Sequence, residues 1–127
     1  MGMGALTGIK VLDLSHVIAG PTASHYLALE GAEVIKVEAP DHGDILRQGR
    51  PGQALDQGVS IGFAAINAGK QSLAIDLKHP QARPVIEGLI ARCDVFIENY
   101  RPGALSKMGL GYEDLARDLE KSVKGQN

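Results

Sequence analysis

Two short segments of the sequence combine a glycine, an amide side chain and a basic side chain, a composition suited to holding an anion. One runs from Asn67 to Lys70, and the other runs from Glu98 to Gly103 with Arg101 as its cation. Backbone N–H groups in such turns can point at one ligand, and a nearby cation adds charge attraction. Two plain turns explain the same residues equally well, so both interpretations stay open.

His16 and two aspartates are the other candidates for chemistry. His16 follows the first apolar run, at the end where parallel α/β sheets place their ligands, although a turn histidine satisfied by the backbone is the alternative. Asp13 and Asp76 lie within apolar runs, and the simplest interpretation is that each caps a neighbouring loop. The sequence contains none of the standard catalytic motifs, and its histidines lack the spacing of metal ligands. We therefore predict no catalytic residue from motifs and no metal site.

Four apolar runs must position these residues. They are short and rich in β-branched side chains, and few polar residues alternate with the apolar ones. This pattern is typical of buried parallel strands. The runs cover residues 9–14, 32–38, 72–77 and 94–98. A helix is predicted after the first run, where Pro21 marks a helix start and Gly31 follows a helix end. Another is predicted before the fourth run, where Pro84 either starts the helix or kinks it. The pattern predicts an α/β fold with a mostly parallel sheet flanked by helices.

The stretch from residue 39 to residue 62 and the end of the chain have different patterns. Glycines and prolines are scattered among polar residues of the first, which predicts a long surface loop. Residues 112–126 have the pattern of a charged helix followed by the beginning of a further strand. We therefore expect a fold that is part of something longer.

Composition limits the class of protein. The chain has 127 residues, a formal net charge of −2 and only three tyrosines and two phenylalanines, so one domain over residues 1–127 is expected and a nucleic-acid binder is not. No apolar run reaches the ~18 residues of a membrane span, and no signal-peptide pattern opens the chain. We expect a cytoplasmic protein that does not bind membranes, and its single Cys93 cannot close an internal disulfide.

Several longer motifs occur in a constant order along most of the chain. They are LTGIKVLDLS at 6–15, AGP at 19–21, GAEVIKVE at 31–38, Gly43-Asp44 with Arg47, NAGKQS at 67–72, DLK at 76–78, ENYRPG at 98–103 and MGLGY at 108–112. Together they resemble the N-terminal part of the family III CoA-transferases, also called the L-carnitine dehydratase and bile-acid-inducible protein F family. The terminal SVKG at 122–125 is most similar to the formyl-CoA:oxalate CoA-transferase branch.

This resemblance implies a Rossmann-like domain, truncated relative to the family, and an enzyme that moves CoA from an acyl-CoA to a carboxylic acid. In the family an aspartate attacks the thioester, giving an anhydride and then an aspartyl-CoA thioester, which splits one difficult transfer into easier steps. CoA and acyl-CoA are then substrates, and no permanently bound cofactor is expected. The family's interlocked dimer needs a longer chain, so we expect a simpler homodimer here.

The resemblance also implies site residues. An active-site loop lines the reacting thioester; it consists of His16, Val17, Ile18 and Ala19. CoA contacts are expected from Ile75, Lys78, Asn99, Tyr100, Lys107 and Met108, with the two lysines serving the phosphates.

Three departures from the family pattern qualify what the chain does. The nucleophilic aspartate matches no residue of this sequence, so we expect no catalytic residue here and no turnover by the chain alone. The oxalate-specific branch has a glutamine where Ile18 stands, which favours another acceptor acid. The segment between Leu115 and Ser122 is shorter than in the family and lacks its Asn-Pro pair, as expected of a truncated or rearranged end. The alternatives are a non-catalytic CoA- or nucleotide-binding module, a self-associating module, or a gene remnant.

Overall fold

Four parallel strands form a sheet where the apolar runs predict one. The computed structural model describes residues 3–49, 55–56 and 59–117, with backbone alone for 55–56. The strands of this part are β1 (Lys10–Asp13), β2 (Glu33–Glu38), β3 (Leu55–Asp56), β4 (Val59–Ser60), β5 (Gln71–Ala74) and β6 (Val95–Ile97). The sheet order is β5-β2-β1-β6 with every pair parallel, while β3 and β4 form a separate antiparallel pair. The prediction of an α/β fold with a parallel sheet is confirmed.

Helices connect these strands because parallel neighbours need a crossover from one end of the sheet to the other. They are α1 (Ala19–Leu29), a 3₁₀ helix (Ile45–Gln48), α2 (Ile61–Asn67), α3 (Ala82–Ile90) and α4 (Ala104–Lys107), and residues 112–117 are also helical. Gly31 follows α1 with a φ of +98°, a conformation that glycine adopts without a Cβ clash. No helix in the described part of the chain is long and apolar enough to span a membrane.

Alternate residues of the central strands pack on opposite faces of the sheet. Val11 and Val34 belong to a small cluster that is completed by residues of α1, such as Leu27. Their neighbours on the same strands join a larger cluster with α3 and the helical segments after β6. Its buried members are Leu12, Leu14, Val37, Ile86, Ile90, Leu105, Leu110 and Leu115. Helices therefore cover both faces, as the scarcity of alternating polar residues predicted.

The prediction of one long loop over residues 39–62 is wrong for the part that the structure describes. A 3₁₀ helix begins after Asp44, whose side chain accepts a hydrogen bond from Leu46 N at 3.0 Å. Helix α2 begins after Ser60, whose Oγ accepts from Phe63 N at 3.0 Å. Each of these short helices begins at a polar side chain that caps a free backbone N–H group. The glycine and proline content of the stretch does not reveal such caps.

Pro84 does not start α3. The helix begins at Ala82, so Pro84 is its third residue and lies in the first turn. Backbone N–H groups of that turn have no partner within the helix, and the missing N–H of proline costs nothing there. The further strand predicted near residues 122–125 lies outside the described residues.

Candidate functional site

A cleft of about 770 Å³ opens where β1 and β2 end, at the carboxyl edge of the sheet. This is the edge at which open parallel α/β sheets bind their ligands. The cleft is lined by the last three residues of β2 and by residues that follow β1, β2, β5 and β6. Among them are five that the family resemblance singled out: His16, Ile75, Lys78, Tyr100 and Met108.

The remaining predicted site residues lie outside the lining of this cleft. Val17, Ile18 and Ala19 continue from His16 into the start of α1, and all three are exposed. Lys107 is exposed on α4. Contact of each predicted residue with CoA stays a prediction, but the fold brings half of them to one cavity.

Asn99 connects the loop after β6 to the loop after β1. Its Oδ1 accepts a hydrogen bond from His16 N at 3.0 Å, and its Nδ2 donates to His16 O at 2.8 Å. The His16 ring meets Tyr100 edge-on, with ring centroids 4.8 Å apart and planes at 84°. Two segments that are distant in sequence thus form one wall, and Asn99 holds the histidine backbone in it.

A buried ion pair lies beneath the same loop. Lys36 is 2% exposed, and its Nζ donates to Ser15 O at 2.8 Å and lies 3.0 Å from Asp44 Oδ2. The Asp44 carboxylate also accepts from Val17 N, at 3.1 and 3.2 Å. The sequence interpretation missed both ions, although a lysine inside the apolar strand run VIKVE was a visible signal of a buried charge.

Lys70 is buried beside Asp13 and does not face a ligand. Three oxygens lie within hydrogen-bond distance of its ammonium group: Asp13 Oδ2 at 3.2 Å, Pro21 O at 2.8 Å and Asn67 Oδ1 at 2.8 Å. An ammonium has three donors, and all of them are used. Of the two interpretations left open for residues 67–70, the contacts of Lys70 therefore favour a plain turn. Arg101 of the second segment is exposed.

Both aspartates of the apolar runs cap loops, as the simpler interpretation predicted. Asp13 accepts from Ser15 N at 2.8 Å, and Asp76 accepts from Lys78 N at 2.9 Å. Asp13 is fully buried and has a further role, because it is also the partner of the Lys70 ammonium.

The environment keeps Asp13 ionised. Burial raises the pKa of its carboxyl, but hydrogen bonds from Ser15 and Ser24 lower it. The ammonium groups of Lys36 and Lys70 lower it further, so the net pKa lies below the usual value. Burial also lowers the pKa of the Lys70 ammonium, and the negative charge of Asp13 opposes that effect.

Glu38 and Arg47 form a third ion pair, at the edge of the cleft. Arg47 Nε donates to Glu38 Oε2 at 2.6 Å, and Nη2 donates to Oε1 at 2.7 Å. Glu38 Oε2 also accepts from Asp44 N at 2.8 Å, and the guanidinium lies 4.0 Å from the centroid of the Phe63 ring. Burial raises the pKa of the Glu38 carboxyl, but the Arg47 hydrogen bonds and charge lower it below its usual value.

A parallel sheet with helices on both faces and a cleft at its carboxyl edge defines a Rossmann-like α/β fold. The sequence model of CoA-transferase family III matches residues 6–121. The chain therefore belongs to CoA-transferase family III.

Named relatives agree with this assignment. The mouse (Mus musculus) succinyl-CoA:glutarate CoA-transferase is 47% identical over 113 residues, covering 89% of this chain and 26% of the mouse protein. The formyl-CoA:oxalate CoA-transferase of Afipia carboxidovorans is 42% identical over 127 aligned residues, covering 95% of this chain and 29% of that protein. This chain spans under a third of the length of either relative.

Solved structures show the same architecture. A CAIB/BAIF family protein from Brucella suis superposes with a TM-score of 0.84 at 38% identity, over 91% of this chain and 31% of that one. The protein Rv3272 from Mycobacterium tuberculosis superposes with a TM-score of 0.80 at 40% identity, over 91% and 31%.

Proposed function

We propose that this chain is the N-terminal, CoA-binding portion of a CoA-transferase that moves CoA from an acyl-CoA to a carboxylic acid. The observation that carries the proposal is the cleft at the carboxyl edge, which gathers five of the residues implicated by the family resemblance. Its volume of about 770 Å³ is in the range of small-molecule sites.

The lining suits the two chemically different ends of CoA. Ile75, Tyr100 and Met108 are half-buried apolar or aromatic side chains, which suit the pantetheine arm and the adenine ring. Lys78 is an exposed cation on the lining and suits the phosphates. In this arrangement the thioester end of CoA lies against His16 and the loop that follows it.

The carboxylates buried beside the cleft are poor candidates for the nucleophile. Asp13, Glu38 and Asp44 are each buried and each paired with a cation. A nucleophilic carboxylate must reach the thioester carbonyl, and these oxygens are held by internal hydrogen bonds. Asp41 and Asp76 also line the cleft and are exposed, but the family resemblance matches its nucleophilic aspartate to no residue of this sequence. We therefore propose, from that resemblance, that the nucleophile lies outside these residues and that the chain alone binds CoA without turning it over.

The acceptor acid is proposed to be one other than oxalate. Ile18 is 58% exposed at the start of α1 and carries no amide with which to hydrogen-bond a second carboxylate.

The first experiment is a calorimetric titration of CoA into the 127-residue chain. We expect micromolar affinity and a loss of about tenfold in Lys78→Ala, because a charge-assisted phosphate contact is worth that much. Lys10→Ala is the matched control, since Lys10 is an exposed lysine at the amino end of β1, away from the cleft. Lys107→Ala, titrated separately, tests the predicted contact of a lysine outside the lining.

The result that overturns the proposal is a folded chain that takes up no CoA, or one whose affinity falls equally in Lys78→Ala and Lys10→Ala. A self-associating module is then the better function. In the described sheet β5 and β6 have a strand neighbour on one side each, and such edges favour pairing between chains. We propose a homodimer, which light scattering tests; a monomer at every concentration rejects it.

A further inference from the structure

We infer that Asp44 is a positioning residue that holds Val17 in a left-handed backbone conformation and so fixes the loop of residues 15–18 at the cleft. The contacts that support this inference need no ligand. Its consequence for binding rests on the proposed function, in which the same loop lines the bound thioester.

Val17 has a backbone conformation that its side chain disfavours. Its φ is +69°, and it is the single non-glycine residue of the described chain with a positive φ. For a β-branched residue this conformation is strained and persists where surrounding contacts impose it. The Asp44 carboxylate is that contact, because both of its oxygens accept from Val17 N, at 3.1 and 3.2 Å.

Asp44 cannot easily turn away from Val17. Its carboxylate lies 3.0 Å from Lys36 Nζ and also accepts from Leu46 N at 3.0 Å. Its backbone N–H donates to Glu38 Oε2 at 2.8 Å, and Glu38 is itself clamped by Arg47. Asp44 therefore belongs to a rigid support.

The two loop residues before Val17, Ser15 and His16, are also held by hydrogen bonds. Lys36 Nζ donates to Ser15 O, and Asn99 holds both backbone polar groups of His16. Val17 is the last anchored residue before α1, whose N-cap residue Ile18 makes no side-chain capping hydrogen bond. Loss of the Asp44 contact should therefore let the loop relax at Val17 while the rest of the cleft keeps its shape.

The binding test compares an acyl-CoA with its nucleotide half. Acetyl-CoA and adenosine 3′,5′-bisphosphate are titrated into wild type, Asp44→Ser, Val17→Gly and the double variant. Serine can still cap Leu46 N but is too short to reach Val17 N. We expect Asp44→Ser to lower the affinity for acetyl-CoA about tenfold and the affinity for the bisphosphate by less than about twofold. In the double variant, glycine adopts the positive φ without strain, so most of the acetyl-CoA affinity should return.

The controls separate positioning from general loss of structure. Asp94→Ser removes an exposed carboxylate beside the amino end of β1 and should leave both affinities unchanged. Equal weakening of both ligands by Asp44→Ser, or no recovery in the double variant, overturns the inference. If Asp44→Ser does not fold, Asp44→Thr replaces it, because threonine can also cap Leu46 N and its hydroxyl is equally too short to reach Val17 N.

A ligand-free measurement keeps the inference distinct from the proposed function. Amide hydrogen exchange of Val17 should be at least about tenfold faster in Asp44→Ser or Asp44→Thr, while the amides of β1 keep their protection. Unchanged exchange at Val17 overturns the inference, whatever the titrations show. If wild type binds neither ligand, the proposed function fails and the exchange result still decides the role of Asp44.

Discussion

Lys70→Met removes a buried ammonium while keeping a side chain of similar length. The ammonium forms hydrogen bonds with three oxygens, of which the Asp13 carboxylate is the charged one, at 3.2 Å. Asp13 is 0% exposed, so water cannot replace the lost cation. We expect the variant to fold with clearly lower stability.

The size of the effect follows from the burial of the pair. Deleting one partner of a buried ion pair costs about 3–5 kcal/mol, because a charge remains without compensation. Asp13 keeps its hydrogen bonds from Ser15 and Ser24, which favours a loss of ~3 kcal/mol in the free energy of unfolding. Domains of this size have free energies of unfolding of about 5–15 kcal/mol, so the loss is large but the variant should still fold.

Urea unfolding at pH 7, followed by circular dichroism, measures this loss. Lys10→Met is the matched control and should change the free energy of unfolding by less than ~0.5 kcal/mol, since Lys10 is exposed. In the Asp13→Asn background, Lys70→Met should cost at least ~1 kcal/mol less than it does in wild type. A loss below ~1 kcal/mol, or additive effects in this cycle, would show that the two charges are not a buried pair.

Two further predictions concern acid stability and helix packing. The folded-state pKa values of Asp13 and Glu38 are lowered, so their stabilisation is complete above the unfolded values near ~4 and is lost as the pH falls through the folded values. Urea midpoints should therefore drop in acid, and Glu38→Gln should flatten that dependence. Gly20→Ala should lower the free energy of unfolding by more than ~2 kcal/mol, because the new Cβ would lie 2.1 Å from Ser15 Cβ. Gly88→Ala in α3 is the comparison: its Cβ meets nothing within 4 Å, so it should raise the free energy of unfolding by up to ~1 kcal/mol. Similar unfolding temperatures for the two alanine variants would refute the packing argument.

The parallel sheet was predictable because burial on both faces leaves a direct mark on a strand. Such strands need apolar side chains on both sides, so they appear as short runs without alternation. The 3₁₀ helix and α2 were not predictable in this way. Each is too short to show a period, and each begins at one capping side chain, Asp44 or Ser60, within a stretch rich in glycine.

The cleft was predictable in part: the position of His16 after the first apolar run indicated the edge of the sheet, and the family resemblance indicated the other lining residues. The motifs indicated which residues to place near one ligand, and the fold places His16, Ile75, Lys78, Tyr100 and Met108 around one cavity. The ion pairs beneath it were missed for a physical reason. Periodicity reports which face a residue is on, but it carries no information about which distant charge that residue meets, and Asp13 and Lys70 are 57 positions apart.

The concentration of buried charges at this edge of the sheet has an energetic explanation. Buried ion pairs stabilise a fold no better than apolar side chains of the same volume, so stability alone does not account for them. The loop after β1 leaves the sheet, and its backbone polar groups need partners that no strand supplies. Apolar side chains cannot bind an N–H or a carbonyl, whereas Lys36 reaches Ser15 O and Asp44 reaches Val17 N. The ions are best understood as the support of an irregular loop, and that loop is where the thioester end of CoA is proposed to bind.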